Sequence, residues 1–153
     1  MFALQIDWKL HLPWRFVFNP PGNTGQGKIM DNSSTIEQLK IKVKKFRDER
    51  NWKKFHDPKN LSIALSVESA ELQELFMWKS KYQVRQFLLS EKGIRQVREE
   101  LADILIYLLY LSDESGIDLS EAVEEKLKIN KNKYPVSKSY NSSKKYNELD
   151  CGD

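Results

Sequence analysis

The chain is poor in the residues that crosslink small secreted domains or build thiolate metal centres. Its 153 residues include one cysteine, Cys151, and two histidines. A single cysteine can form neither an intramolecular disulfide nor a thiolate zinc cluster, so we expect a cytoplasmic protein. Six glycines and five prolines are too few for a low-complexity or collagen-like chain.

Long hydrophobic runs are also missing. The longest run, Ile104 to Leu111, has eight residues, whereas a membrane-spanning helix needs about 20. The segment from Leu10 to Phe18 has no small-residue cleavage site, so we expect no signal peptide. With 40% hydrophobic and 31% charged residues, the composition predicts one globular domain and no membrane partner.

The net charge of +3 hides an uneven distribution. Residues 37–59 carry nine basic and four acidic side chains, residues 68–125 carry six basic and thirteen acidic ones, and residues 126–145 carry seven basic ones and no acidic one. One interpretation is ordinary solvated helix faces. The other is that carboxylates hold a divalent cation while lysines and arginines meet an anionic substrate.

Apolar residues that recur every three to four positions predict an all-α protein with four principal helices. Local signals set their limits: capping boxes at Ser34 with Glu37 and at Asp118 with Glu121, Pro58 as a start and Gly116 as a stop. The predicted helices end near residues 51, 78, 115 and 134. We therefore divide the chain into a loose leader (1–33), a helical catalytic domain (34–134) and a polar C-terminal arm (135–153).

The third predicted helix is apolar on every side over Ile104 to Leu111. Such a helix is normally buried all round. Four helices of a small chain rarely enclose one of their own so completely, so we expect a dimer or a larger oligomer. A tightly wrapped monomer is the alternative.

Two predicted helices carry acidic pairs at a spacing of three residues: Glu68 with Glu71, and Glu100 with Asp103. Each pair lies on one helix face and interrupts an apolar segment. A carboxylate that points into a core is costly unless it is paired or binds a metal. Acidic pairs of this spacing are common on exposed helices, but two pairs in apolar contexts favour a metal site.

Carboxylate oxygens without histidine or cysteine are suited to Mg²⁺, or to Mn²⁺, and poorly suited to zinc. Magnesium in proteins often binds substrate phosphates together with a few carboxylates. The pattern therefore predicts a phosphorylated small molecule as the partner.

The acidic pattern, Glu68-x-x-Glu71 and Glu100-x-x-Asp103, resembles that of the MazG-like all-α nucleoside triphosphate pyrophosphatases. Further motifs over residues 34–149 are similar to the dCTP pyrophosphatase branch of this family, whereas the leader finds no counterpart. These motifs are Phe46-Arg-Asp-Glu-Arg-Asn-Trp52, Phe55-His56, Pro58-x-Asn-Leu61, Glu71-Leu-x-Glu-Leu-Phe-x-Trp-Lys79, Glu99-Glu-Leu-x-Asp-x-Leu-Ile-Tyr107, Ile129-Asn130, Lys133-Tyr-Pro135 and Ser142-Ser-x-Lys-Tyr146.

The resemblance implies hydrolysis of a nucleoside triphosphate to its monophosphate and pyrophosphate, a reaction that clears unwanted nucleotides. It implies Mg²⁺ held by Glu68, Glu71, Glu100 and Asp103, and a tetramer built as a dimer of dimers. In related enzymes a histidine of the first helix touches the substrate, and the matching position here is Val43. The difference at Val43 bears on which base the enzyme prefers more than on the reaction that it catalyses.

The remaining candidates divide by chemistry. Glu71 is our candidate for binding both metal and attacking water. Trp52, Trp78 and Tyr107 offer flat faces on which a base can stack, although core packing is the alternative, above all for Tyr107. Only the resemblance makes His56 a substrate contact. Side chains able to reach phosphates are Asn130, Lys133, Lys144 and Lys145.

Two alternatives belong to other classes of protein. A helical nucleic-acid-binding module would use the basic first helix and the basic arm, but the acidic centre would repel a phosphate backbone. We therefore expect no nucleic-acid partner. A structural oligomer without catalysis would satisfy its carboxylates by internal salt bridges.

Overall fold

A computed structural model describes residues 31–149, and over this range it contains helices and no strands. This confirms the predicted all-α fold. Cys151 and nearly all of the predicted leader lie outside the described residues. The α-helices are α1 (Ile36–Asp48), α2 (Pro58–Glu74), α3 (Lys81–Leu89), α4 (Glu91–Ser115), α5 (Leu119–Lys133) and α6 (Val136–Ser139).

Most helix limits follow the predicted signals. Asp118 caps α5 by accepting a hydrogen bond from the Glu121 N–H, Pro58 opens α2, and Gly116 ends α4 in the left-handed conformation at φ 64°. The predicted capping box of α1 is wrong by one residue, because Thr35 and Gln38 form it. Both pairs have the required spacing, so the spacing alone does not distinguish them.

Helix α3 is absent from the sequence prediction. The prediction continues α2 to Trp78, whereas α2 ends at Glu74 and Ser80 then caps a separate helix. Ser80 and Gln83 form a complete capping box. A serine followed three residues later by glutamine is the sequence pattern that predicts such a box. The C-terminal arm includes α6 and a short 3₁₀ turn, Tyr146–Glu148.

Helix α4 is the centre of the fold and packs against α1, α2 and α3. The main cluster of the core consists of Leu61 and Ala64 from α2 with Tyr107 and Tyr110 from α4. Polar contacts add to this packing, since the Tyr110 hydroxyl donates a hydrogen bond to the Val43 carbonyl of α1 at 2.8 Å. Both predicted acidic pairs therefore lie on helices that contact each other directly.

Apolar side chains remain exposed in the single chain. On α4, Leu101 and Leu105 are 51% and 41% exposed, although the same helix buries Tyr107 and Tyr110. Helix α5 buries no side chain, and Val123 on it is exposed. The apolar surface of α4 is thus incompletely covered within one chain, and self-association stays a prediction.

The turn between α3 and α4 generates a first prediction. A Cβ added at Gly93 would lie 1.9 Å from the Phe87 carbonyl oxygen, so Gly93→Ala should lower the free energy of unfolding by about 2–3 kcal/mol through overpacking. Without that clash, alanine in a helix would be stabilising by about 1 kcal/mol. Urea denaturation measures the difference.

Gly116→Ala is the matched control. Its Cβ would meet nothing within 4 Å, so its cost should be only the left-handed backbone, about 1–2 kcal/mol. A neutral or stabilising Gly93→Ala would contradict the close approach of α3 to α4.

Candidate functional site

Three carboxylates meet between α2 and α4. Glu68 and Glu71 come from successive turns of α2, and Glu100 comes from α4. One oxygen of each lies within 4.8 Å of the other two. Glu68 and Glu71 are buried, at 8% and 7% exposure, and Glu100 is half-buried. We call these three residues the carboxylate cluster.

The carboxylate cluster is electrostatically demanding. Like charges at such separations repel each other, and burial weakens the hydration that would otherwise stabilise them. A divalent cation removes both costs at once. The donor set consists of hard oxygen ligands, which fits Mg²⁺ or Mn²⁺.

Asp103, the fourth predicted ligand, is not one of the three residues of the carboxylate cluster. It is half-buried and stands one turn after Glu100 on α4. Its negative charge contributes to raising the pKa of the Tyr107 hydroxyl. A ligand role for Asp103 therefore stays a prediction.

Tyr107 is buried beside the cluster, at 3% exposure. Burial is the main cause that holds the pKa of its hydroxyl above the usual value, and the charges of Glu68 and Asp103 raise it further. The hydroxyl is thus protonated at neutral pH and able to donate a hydrogen bond. Its ring packs edge-on to the Tyr110 ring, with the ring centres 6.4 Å apart. Stacking of a base on Tyr107 stays a prediction.

The two candidate tryptophans occupy two different turns. Trp52 follows α1, is half-buried and meets Phe46 edge-on at 6.0 Å. Trp78 follows α2, is 92% exposed and has a φ of 65°. A non-glycine residue in this left-handed conformation costs about 1–2 kcal/mol. Because the indole is exposed, its packing does not offset that cost.

His56 lies in the interior of the chain. It is 3% exposed, and its ring packs on Tyr110 at a centroid distance of 4.8 Å. Burial lowers the pKa of His56, and the nearby positive charge of Arg47 lowers it further. The structure therefore gives His56 a packing environment, and its predicted contact with substrate stays untested.

Asn130 and Lys133 lie at the end of α5, near the C-terminal arm. Asn130 is half-buried and Lys133 is exposed. The Lys133 ammonium lies 4.9 Å from the centre of the Tyr146 ring. This places Lys133 against the arm, and its predicted role in phosphate binding is not tested by the contact.

Sequence reasoning missed a charged cluster between α1 and α4. Arg47, 1% exposed, is bound to Asp48, Asp113 and Glu114, with closest N to O distances of 2.8, 3.3 and 2.8 Å. Lys44 also binds Asp113 at 2.7 Å. Asp113 and Glu114 of α4 lie 66 or more residues from Arg47 along the chain. No local spacing could therefore have revealed the cluster.

The fold and the carboxylate cluster define an all-α protein with an acidic site between two packed helices. A model of the MazG-like family matches residues 63–149. The chain belongs to the MazG-like family, which confirms the resemblance found in its motifs.

The chain is also similar to individual proteins of known name. It is 37% identical over 140 residues to human dCTP pyrophosphatase 1, covering 92% of this chain and 75% of the human protein. With the mouse protein of the same name, 40% identity extends over 77% of this chain and 69% of the relative. A crystal structure of a pyrophosphatase from Archaeoglobus fulgidus superposes with a TM-score of 0.62 at 44% identity, covering 71% of this chain and 99% of the archaeal one.

The carboxylate cluster generates a second prediction. Magnesium at about 100 times its Kd should stabilise the protein by about 2.7 kcal/mol and raise Tm by roughly 5–10 °C. Glu71→Gln should raise Tm without metal, because one of three repelling charges is removed, and should abolish most of the magnesium response. Thermal melts with and without MgCl₂ measure both effects.

Glu74→Gln is the control on the same helix. Because Glu74 is exposed, this substitution should leave both melts unchanged. An equal magnesium response in Glu71→Gln and the unmodified protein would contradict the metal site.

Proposed function

We propose that this protein is a Mg²⁺-dependent nucleotide pyrophosphatase that converts a deoxynucleoside triphosphate, with dCTP as the first candidate, to the monophosphate and pyrophosphate. The observation that carries the proposal is the carboxylate cluster between α2 and α4 in a chain similar to enzymes named dCTP pyrophosphatase 1. The reaction would remove surplus or unwanted nucleotides.

The proposed metal ligands are Glu68, Glu71 and Glu100, with Asp103 as a fourth. A magnesium ion bound there would supply Lewis-acid neutralisation of the charge on the triphosphate. The distances within the carboxylate cluster, up to 4.8 Å between oxygens, are compatible with shared coordination of a cation. Mn²⁺ has the same preference for oxygen and is the second candidate.

Glu71 is the proposed catalytic carboxylate. It orients the attacking water by a hydrogen bond and accepts its proton, as a general base does. Tyr107 keeps its proton beside the cluster, because burial holds the pKa of its hydroxyl high. It therefore adds no negative charge beside the phosphates, and the predicted stacking of a base on its ring stays part of the proposal.

Trp52 and Trp78 are the proposed contacts to the base. The support for Trp78 is its 92% exposure together with its left-handed backbone, since strain of this kind is concentrated at functional sites. Stacking on an indole contributes about 1–3 kcal/mol per base. Asn130 and Lys133 complete the proposed set of substrate residues, and His56 supports this set from the interior, where its ring packs on Tyr110.

Self-association and location complete the proposal. Exposed Leu101 and Leu105 on α4 and exposed Val123 and Leu127 on α5 support a homo-oligomer, a dimer or tetramer, that covers these side chains. Over residues 31–149 no helix combines the length and hydropathy needed to cross a membrane. We propose a cytoplasmic enzyme with no nucleic-acid or membrane partner.

A screen of pyrophosphate release from all canonical triphosphates and several modified ones tests the reaction. Glu68→Gln, Glu71→Gln, Glu100→Gln and Asp103→Asn should each remove most turnover while circular dichroism shows unchanged helicity. Combined substitutions should be strongly non-additive, because the four carboxylates act on one cation.

Glu74→Gln is again the control and should retain full activity. Near-normal turnover in two of the four variants would contradict the metal assignment. No turnover of any triphosphate, with salt-dependent retention of DNA instead, would favour the nucleic-acid-binding alternative.

Base recognition gives a further prediction, which rests on Val43. The Val43 side chain packs against the core of α2 and α4 and supplies no polar group to a base. A site without a hydrogen-bonding group tolerates analogues, so kcat/KM for dCTP and for at least one other triphosphate, dATP or a C5-modified cytosine nucleotide, should agree within about tenfold, or roughly 1.4 kcal/mol.

Variants separate stacking from edge recognition. Trp78→Gly removes both the indole and the backbone strain, so it should raise KM for every substrate without lowering Tm, whereas Trp78→Phe should retain most affinity. Val43→His should change the ratio of substrates, and Val43→Leu should not. A Trp78→Gly effect confined to one base would contradict the stacking role.

A further inference from the structure

The connection between α1 and α2, residues 49–57, carries Trp52 and is held at both ends. At its first end, the Trp52 N–H donates a hydrogen bond to the Arg47 carbonyl at 3.1 Å. The Trp52 ring meets Phe46 of α1 edge-on, and the Arg50 guanidinium covers Phe46 at 3.5 Å from the ring centre. The position of the indole therefore depends on the fit of this connection against α1.

His56 holds the second end. It ends the 3₁₀ turn Lys53–Phe55 and donates its backbone N–H to the Lys53 carbonyl at 3.0 Å. Its ring is buried on Tyr110. The next residue, Asp57, caps α2 by accepting a hydrogen bond from the Asn60 N–H. His56 thus joins the turn that follows Trp52 to the interior beside Tyr110.

Tyr110 of α4 supports both ends of the connection. It is fully buried, with the His56 ring at 4.8 Å and the Arg47 guanidinium at 5.6 Å from its ring centre. Burial raises the pKa of Tyr110 to about 12, so its hydroxyl stays protonated and keeps its hydrogen bond to the Val43 carbonyl.

The surroundings of His56 favour the neutral ring. Its Nδ1 is buried without a hydrogen-bond partner among residues 31–149. The charges that act on it are Arg47 and Asp48 from α1 and Glu114 from α4, and Tyr110 is uncharged. Burial first, then Arg47, lowers the pKa of His56, while Glu114 and Asp48 oppose this effect. Protonation would bury a further charge next to the Arg47 cation.

We propose that His56 is a positioning residue: its neutral ring fixes the 49–57 connection and thereby Trp52, and protonation of the ring releases Trp52 and weakens nucleotide binding. The binding part of this inference rests on the proposed function. The positioning of Trp52 does not depend on it.

The direction of the pH effect follows from the sign of the shift. A histidine with a lowered pKa stabilises the folded chain above its ordinary value of 6.5, and this contribution is lost as the pH falls below 6.5. The connection should therefore be ordered at pH 8 and should loosen once the pH falls below the lowered pKa of His56.

Nuclear magnetic resonance of the intact chain tests the positioning directly. The chain has two histidines, so His11→Gln leaves His56 as the one titrating imidazole. Between pH 8 and pH 5, the indole N–H signal of Trp52, identified with Trp52→Phe, should move with the same midpoint as the His56 ring signals, below pH 6.5. The signal of Trp78, which lies in a different turn, serves as the control and should not follow His56.

His56→Phe keeps an uncharged ring on Tyr110, and its Trp52 signal should stay at the pH 8 position throughout. A Trp52 signal that does not move while the His56 ring signals titrate, or that moves equally in His56→Phe, overturns the proposal. If His56→Phe does not fold, the titration of His11→Gln alone decides.

Kinetics test the consequence for binding. On acidification from pH 7.5 to below the midpoint of the His56 ring signals, KM for dCTP should rise at least threefold more in the His11→Gln protein than in His56→Phe, while kcat changes by the same factor in both. An equal change in KM overturns the effect on binding. An absence of turnover contradicts the proposed function instead, and the Trp52 signal then still decides the positioning role.

Discussion

The structure depends on one interface that combines apolar packing with acidic side chains. Where α2 meets α4, Leu61 and Ala64 pack on Tyr107 and Tyr110, and the carboxylate cluster lies along the same pair of helices. Burial of apolar area, about 25 cal/mol per Å², is the favourable contribution that can hold repelling carboxylates together. The packing of α2 on α4 therefore sets the positions of the three carboxylates.

A second interface, between α1 and α4, uses charge. Arg47 is nearly inaccessible to solvent and is bound to Asp48, Asp113 and Glu114. Removal of one partner from a buried ion pair commonly costs about 3–5 kcal/mol, because it leaves an uncompensated charge. This charged cluster places α1, and with it Trp52, relative to the helix that carries Glu100. One helix, α4, thus relates the base-binding candidates to the carboxylate cluster.

The elements that could be predicted from the sequence are those with local signals. Pro58, Gly116 and the Asp118 cap fixed three helix limits because each acts within one turn of the backbone. The capping box at Ser80 and Gln83 was equally local, yet the apolar pattern of α2 continues through Leu75 and Phe76 and masks the break. Trp78 marks that break, since its left-handed backbone ends the turn after α2.

The sequence by itself determined the helical class, the family and the acidic pairs, because periodicity and motif spacing are properties of neighbouring residues. Tertiary structure decided which of those acids meet, since the packing of α2 on α4 brings Glu68, Glu71 and Glu100 within 4.8 Å of one another. It also decided that His56 and Arg47 share Tyr110 in the interior. Their contacts with Tyr110 span 54 residues of chain for His56 and 63 for Arg47, and only the packing of the helices onto α4 brings such distant residues into contact.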